Sequence, residues 1–99
     1  MLVAFSVAPA GGDDDGSVAE AVARAVEVVR DSGLPWELTS MFTTIEGEWD
    51  EVMEVVKQAT AAVVMVSPRV SLVLKADIRP GYTGQLAAKV DRVNRLLGQ

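Results

Sequence analysis

Residues Glu37 to Asp50, E-L-T-S-M-F-T-T-I-E-G-E-W-D, leave the chain few ways to fold. Two short alternating runs, Trp36 to Thr39 and Thr43 to Glu46, flank Ser40-Met41 in the pattern of two strands turned back on each other. Glu46-Gly47 then leads directly into a segment whose first turn carries Glu48, Asp50 and Glu51, acids that suit the positive end of a helix. With Ser40 and Met41 as the turn, Thr39 pairs with Phe42, Leu38 with Thr43 and Trp36 with Ile45. Trp36, Leu38 and Ile45 then face one side, and Glu37, Thr39, Phe42 and Thr44 the other. A register one residue away exchanges Thr43 and Thr44 between the faces. Thr39, Ser40, Thr43 and Thr44 put hydroxyls where a structural hairpin more often uses Val or Ile.

The remaining segments supply the partners of this hairpin. Leu2 to Ala8 alternates, with Val3, Phe5 and Val7 on one face and Ala4, Ser6 and Ala8 on the other, a half-buried strand whose second face is small. Pro9 to Gly16 reads as a loop. Its Asp13-Asp14-Asp15 run fits a solvated turn better than a cation site, because consecutive carboxylates on an extended chain diverge and no closing Glu follows. Glycine freedom and repulsion among the aspartates make Gly11 to Gly16 the expected most mobile internal segment. Ser17 opens a helix, with Glu20 completing a capping box. Val18, Ala21, Val22, Ala25, Val28 and Val29 form its apolar stripe, and Gly33 and Pro35 end it. In the helix after Glu48, the stripe is Trp49, Val52, Met53, Val56 and Ala59. Ala61 to Val66 reads equally as helix end or strand. Val70 to Ala76 is the clearest strand, with Val70, Leu72 and Leu74 on one side and Ser71, Val73 and Lys75 on the other. Lys75, Asp77 and Arg79 run out into a Pro80-Gly81 turn as a solvated exit. Leu86, Val90, Val93 and Leu97 mark a last amphipathic helix, with Lys89, Arg92 and Arg95 outward.

The order β-α-β-β-α-β-α predicts an α+β, ferredoxin-like βαββαβ sandwich with an extra C-terminal helix. It is a four-stranded antiparallel sheet with helices on one face, with strands one and three central. Residues 1–99 make a single domain. The second sheet face, carrying Ala4, Phe42 and Val73, is too apolar to stay wet, which implies a subunit interface or a pocket.

Composition removes several classes of function. The chain has no Cys and no His, so disulfides, thiolate or imidazole metal sites, a Ser-His-Asp triad and the usual neutral-pH acid/base are excluded. A net charge of −5 without a basic stripe argues against nucleic acid. No apolar run reaches the ~18–20 residues of a membrane span, and the start lacks a cleavable leader pattern, so the expected location is the cytoplasm.

The stretch from Glu37 resembles the E-L-T-P-M-G-T-x-I-E-G-E-W-D-E-V-M motif of the thiamine-binding, MTH1187/YkoF-like proteins, the UPF0045 group. This chain departs from that motif with Ser40 where Pro is usual and Phe42 where Gly is usual. S-V-A-P at Ser6 to Pro9 is similar to the family's S-x-x-P. G-E-W-D-E-V-M-E-V at Gly47 to Val55 and the K-A-D-I-R segment ending at Arg79 extend the likeness over nearly the whole chain. The resemblance implies association through sheets as dimers or tetramers, binding of thiamine or its hydroxymethylpyrimidine moiety, and no enzymatic activity. The expected site uses Ser6, Glu37, Thr39, Thr43 and Glu46 as partners of the aminopyrimidine and Phe42 beside the cationic thiazolium, with no cofactor and no metal. Ser6, Thr39 and Thr43 are expected in a cleft on or beside the bare sheet face. Thr43 to Glu46 spans roughly 10 Å of strand, so a second subunit is needed to complete such a site. The competing readings are a structural or regulatory oligomer without a small ligand and, more weakly, a cofactor-free enzyme. Such an enzyme depends on His, Asn or Tyr in a sheet pocket, and here the one Asn is Asn94 and the one Tyr is Tyr82.

Overall fold

The computed structural model describes residues 1–10 and 17–98. The elements run β1 (Leu2–Pro9), α1 (Ser17–Asp31), β2 (Trp36–Leu38), β3 (Thr43–Glu46), α2 (Trp49–Val64), β4 (Val70–Asp77) and α3 (Gln85–Leu96). The sheet order is β2-β3-β1-β4 with every neighbouring pair antiparallel, so strands one and three are central as the element order predicts. The Gly11–Gly16 segment, and with it the expectation of mobility, lies outside the described residues, as does the Ser17 side chain of the expected capping box.

Strand alternation sorts the side chains. Val3, Phe5 and Val7 of β1 and Ile45 of β3 are buried. They pack against Ala21, Ala25 and Val29 of α1 and Val52, Val56, Ala59 and Val63 of α2. Alanines at the contact let α1 and α2 sit close to the sheet and to each other. The hairpin register is the one with Ser40-Met41 at the turn. Trp36 pairs with Ile45, Glu37 with Thr44 and Leu38 with Thr43, and the Thr39 N–H donates to the Phe42 carbonyl at 2.9 Å.

Three details differ from the sequence reading or complete it. Trp49 does not join the buried stripe of α2: it is the helix's first residue and is exposed, and Val55 and Val63 take part in the core instead. Ala61 to Val64 belong to α2, because Val63 falls in phase with Val52, Val56 and Ala59 and is fully buried as helix. The extra helix, α3, stands apart from the α1–α2 layer. None of its residues is buried, and β3 is the element it chiefly touches.

Glu46 explains where α3 begins. It pairs with Leu2, one residue out of phase with the buried pair Val3 and Ile45, and so lies on the sheet face opposite α1 and α2. Its carboxylate accepts the N–H of Gln85 at 2.9 Å and of Leu86 at 3.1 Å. Gly84, the residue before the helix, has no side chain to cap these donors and sits at φ 66°, where glycine is at ease.

Candidate functional site

β1 and β3 pair only from Leu2–Glu46 to Phe5–Thr43, whereas β1 and β4 pair along their full length to Pro9–Val70. Past Phe5 the sheet therefore has a gap: Ser6, Val7 and Ala8 keep β4 on one side and, among the described residues, have no paired strand on the other. The hairpin residues Leu38 to Thr43 curl past this gap, and Val22, Ala25 and Val26 of α1 close it from the helix side. These groups enclose a cleft of about 140 Å³.

The cleft's chemistry is simple. Its walls are apolar, from Phe5, Val7 and Ala8 through the α1 side chains to Leu38, Met41 and Phe42. Its polar side chains are four hydroxyls, on Ser6, Thr39, Ser40 and Thr43. Thr43 is buried, at 7% exposure, and lies on the same face as Phe5, its partner across the β1–β3 pair. Ser6 pairs with Val73 and lies on the opposite face, so it borders the cleft at the gap, where the two faces of the sheet meet. Thr39 closes the turn, its hydroxyl donating to the Phe42 carbonyl at 3.0 Å and accepting the Phe42 N–H at 3.3 Å. The strand edge at Ser6 to Ala8 adds backbone groups that no strand among the described residues occupies, since N–H and C=O alternate from one strand side to the other.

Of the six residues named from sequence, Ser6, Thr39, Phe42 and Thr43 come together here, and Glu37 and Glu46 do not. Glu37 is exposed on the bare face beside Thr44. Glu46 is buried at the far end of β3, its two oxygens taken by the first turn of α3. The cleft also opens on the α1 side of the hairpin, whereas the sequence reading put it on or beside the bare face. The physical reason is the missing β1–β3 pairing, which opens the sheet itself. Sequence reasoning also missed Val22, Ala25 and Val26. For Val22 and Ala25 the only signal was their place on the sheet-facing stripe of α1, and Val26, outside that stripe, had none.

Other concavities among the described residues have different chemistry; one, along α3, is lined by Ala88, Asp91, Arg92, Asn94 and Arg95. A wider, apolar groove of about 590 Å³ runs along the far side of Leu38 between α1 and the edge strand β2, bordered by Trp36, Glu27 and Arg30. Arg30 there is held by Asp31, whose carboxylate accepts from Nε at 3.0 Å and raises the guanidinium pKa. A smaller hollow of about 120 Å³ lies between Trp49 and Tyr82. The Arg79 guanidinium already covers the Tyr82 ring at 3.6 Å. Among the described residues no three metal-ligating side chains cluster. None of their helices is long and apolar enough to cross a membrane.

The sequence matches the family described as thiamine-binding protein over residues 3–94. It is 52% identical over 98 residues to a UPF0045 protein of Mycobacterium bovis, an alignment covering 98% of this chain and 94% of the relative. A UPF0045 protein of Methanocaldococcus jannaschii is 31% identical over 96 residues, covering 97% of this chain and 94% of the relative. The crystal structure of a hypothetical protein from that organism superposes with a TM-score of 0.83 at 28% identity, covering 94% of each chain. A crystal structure from Thermotoga maritima, of a protein assigned provisionally to thiamine biosynthesis or salvage, gives a TM-score of 0.81 at 30% identity. That superposition covers 93% of this chain and 96% of the other.

Proposed function

Because this chain belongs to the thiamine-binding protein family, we propose that it is a non-catalytic binder of thiamine or of a hydroxymethylpyrimidine, taking the pyrimidine ring into the cleft between β1 and the hairpin. The observation that carries this reading is the match of size and chemistry. A dry apolar cavity of ~150 Å³ is known to hold one benzene ring, and this cleft has about 140 Å³. One aromatic ring fits, and the two-ring vitamin does not fit whole. An aminopyrimidine has ring nitrogens and an amine that need hydroxyl or backbone partners, and hydroxyls and a free strand edge are what the cleft offers. The thiazolium then remains outside the ring-sized cleft, and Phe42 of its lining gives the cation an aromatic face.

The non-catalytic part rests on the same walls. No lining side chain among the described residues is an acid or base near neutral pH, and Tyr82 and Asn94 lie outside the cleft. Self-association belongs to the proposal as well, with the bare sheet face and α3 as the surfaces that meet, in a cytoplasmic protein. The test is a calorimetric titration of the pure protein with thiamine and with hydroxymethylpyrimidine, beside the melting temperature with each. A saturable heat and a ligand-dependent rise in melting temperature are expected, since a binder of the native state stabilises it. Neither signal at millimolar ligand removes the reading and leaves the structural or regulatory oligomer.

A further inference from the structure

Hydrogen bonds at the two ends of β1 fix which way each of its backbone groups points. At the start, the Met1 nitrogen donates to the Gly47 carbonyl at 2.7 Å, and the Gly47 N–H donates back to the Met1 carbonyl at 3.1 Å. Just past the other end, the Ala10 N–H donates to the Arg69 carbonyl at 2.9 Å, on the β4 side. In an antiparallel pair, the residues that exchange both bonds recur at every second position. Met1, Val3, Phe5 and Val7 therefore turn both N–H and C=O toward the β3 side, and Leu2, Ala4, Ser6 and Ala8 turn theirs toward β4. Val3 and Phe5 meet Ile45 and Thr43 there. The same register would set Met41 opposite Val7, but Met41 belongs to the hairpin turn and is 72% exposed. Among the described residues neither backbone group of Val7 has a hydrogen-bond partner. Both face the gap, and Val7 is only 6% exposed, a burial at which unpaired backbone groups are costly.

An extended residue with both groups on one side offers a donor beside an acceptor, the edge that a neighbouring strand normally reads. A ring nitrogen next to a primary amine presents the complement, an acceptor beside a donor. We propose that Val7 holds the pyrimidine by its main chain, its N–H donating to a ring nitrogen and its C=O accepting from the adjacent amine. This rests on the reading above, that the pyrimidine ring enters the cleft, and adds which atoms of the protein read it. A ring bound in this way lies in the plane of the sheet, in the place of the missing strand residue, with one face toward Val22, Ala25 and Val26 of α1. A peptide fits this edge less well, because strand addition draws its affinity from main-chain bonds along a segment. Of Ser6, Val7 and Ala8 only Val7 turns its pair to the gap, and Pro9, the next residue to face that side, has no N–H.

The experiment titrates the full chain calorimetrically with hydroxymethylpyrimidine, with the same ring lacking the amine, and with the ring whose amine carries two methyl groups. The unaltered ring is expected to bind, and each analogue more weakly by roughly tenfold or more, because the buried Val7 carbonyl is left unpaired. In isotope-labelled protein the Val7 amide resonance should move on saturation and its hydrogen exchange should slow. Exchange at Ser6 and Ala8, which already pair with β4, should stay as it is. Thr43→Val should weaken the unaltered and the amine-less ring alike and keep their ratio, because the backbone reads the amine. A ratio that collapses in that variant, analogues that bind as well as hydroxymethylpyrimidine, or a Val7 amide unmoved at saturation each overturns the assignment while the pyrimidine reading stands. If none of the three rings binds a protein that is folded by circular dichroism, the reading itself fails and the inference with it.

Discussion

Glu46 is a strand residue that acts as the cap of a distant helix. Three or four free N–H groups at a helix start normally find a side chain within a residue or two, and α3 instead receives a carboxylate from 39 and 40 positions earlier. Glu46→Ala should therefore cost about 0.5–2 kcal/mol of stability, the range for lost caps. The loss should be local: hydrogen exchange ought to speed up in the first turn of α3 and stay unchanged in α1 and α2. Uniform acceleration across the protein would mean that the carboxylate supports the sheet rather than the helix. In the cleft, Thr39 and Thr43 separate in the same way. Thr39→Val removes both side-chain hydrogen bonds to Phe42, keeps the backbone one and should loosen the turn, and Thr39→Ser should restore it. Thr43→Val keeps the shape and removes only a hydroxyl facing the cleft, so thiamine binding should fall by about 1–3 kcal/mol with the melting temperature little changed. Calorimetric affinities of the three variants, read beside their melting curves, check this pattern. Unchanged affinity in Thr43→Val places the pyrimidine's partners elsewhere.

At the scale of elements, β3 is the piece on which the others depend. It pairs with both β1 and β2, and Ile45 at its middle is fully buried. Ile45→Ala is expected to destabilise the protein by about 2–5 kcal/mol by denaturant titration, a transfer loss plus a cavity. A cost under about 1 kcal/mol would mean the core collapses into the space. The strands were legible because alternation in Leu2 to Ala8 and Thr43 to Glu46 has one solution once one face must be buried. The hairpin was legible from Ser40-Met41, but its register only to within one residue, and the pairing of Trp36 with Ile45 decides between the two. Trp49 was misread because the helical period places it on the stripe, while its position at the helix start lets it swing clear of the core. The gap in the sheet was not legible at all. Nothing in Ser6-Val7-Ala8 distinguishes a strand with two neighbours from one whose neighbour has turned away. For the same reason Glu46 looked available: its helix partners are far off in sequence, and no local pattern announces a cap that crosses the sheet.

At the scale of the whole molecule, apolar side chains are exposed on the sheet edge and on α3. β4 is an edge strand of eight residues, without Pro or Gly, and its outer hydrogen-bonding edge faces no strand among the described residues. Natural edges are usually short or interrupted, and β2 at the other edge has only three residues. Leu72 and Leu74 on one side of β4 and Val73 on the other are all exposed, at 44%, 36% and 55%. α3 adds Val90 at 53% and Val93 at 48%, and no residue of that helix is buried. A helix of twelve residues with an amphipathic pattern and no packed face is marginal by itself in water. The self-association proposed above would answer both features at once, with a second copy covering the bare face and α3 together. The protein should therefore sediment as a dimer or tetramer at micromolar concentration. Val73→Asp and Val93→Glu should each shift it toward a 10.5 kDa species. Each substitution puts an unpaired charge at the proposed contact, and neither touches the α1–α2 core. Helicity should fall with dissociation in both variants, because α3 loses the surface that holds it. A parent protein that is monomeric with α3 fully protected from exchange would show that the helix is stable unaided and that the exposed edge is tolerated.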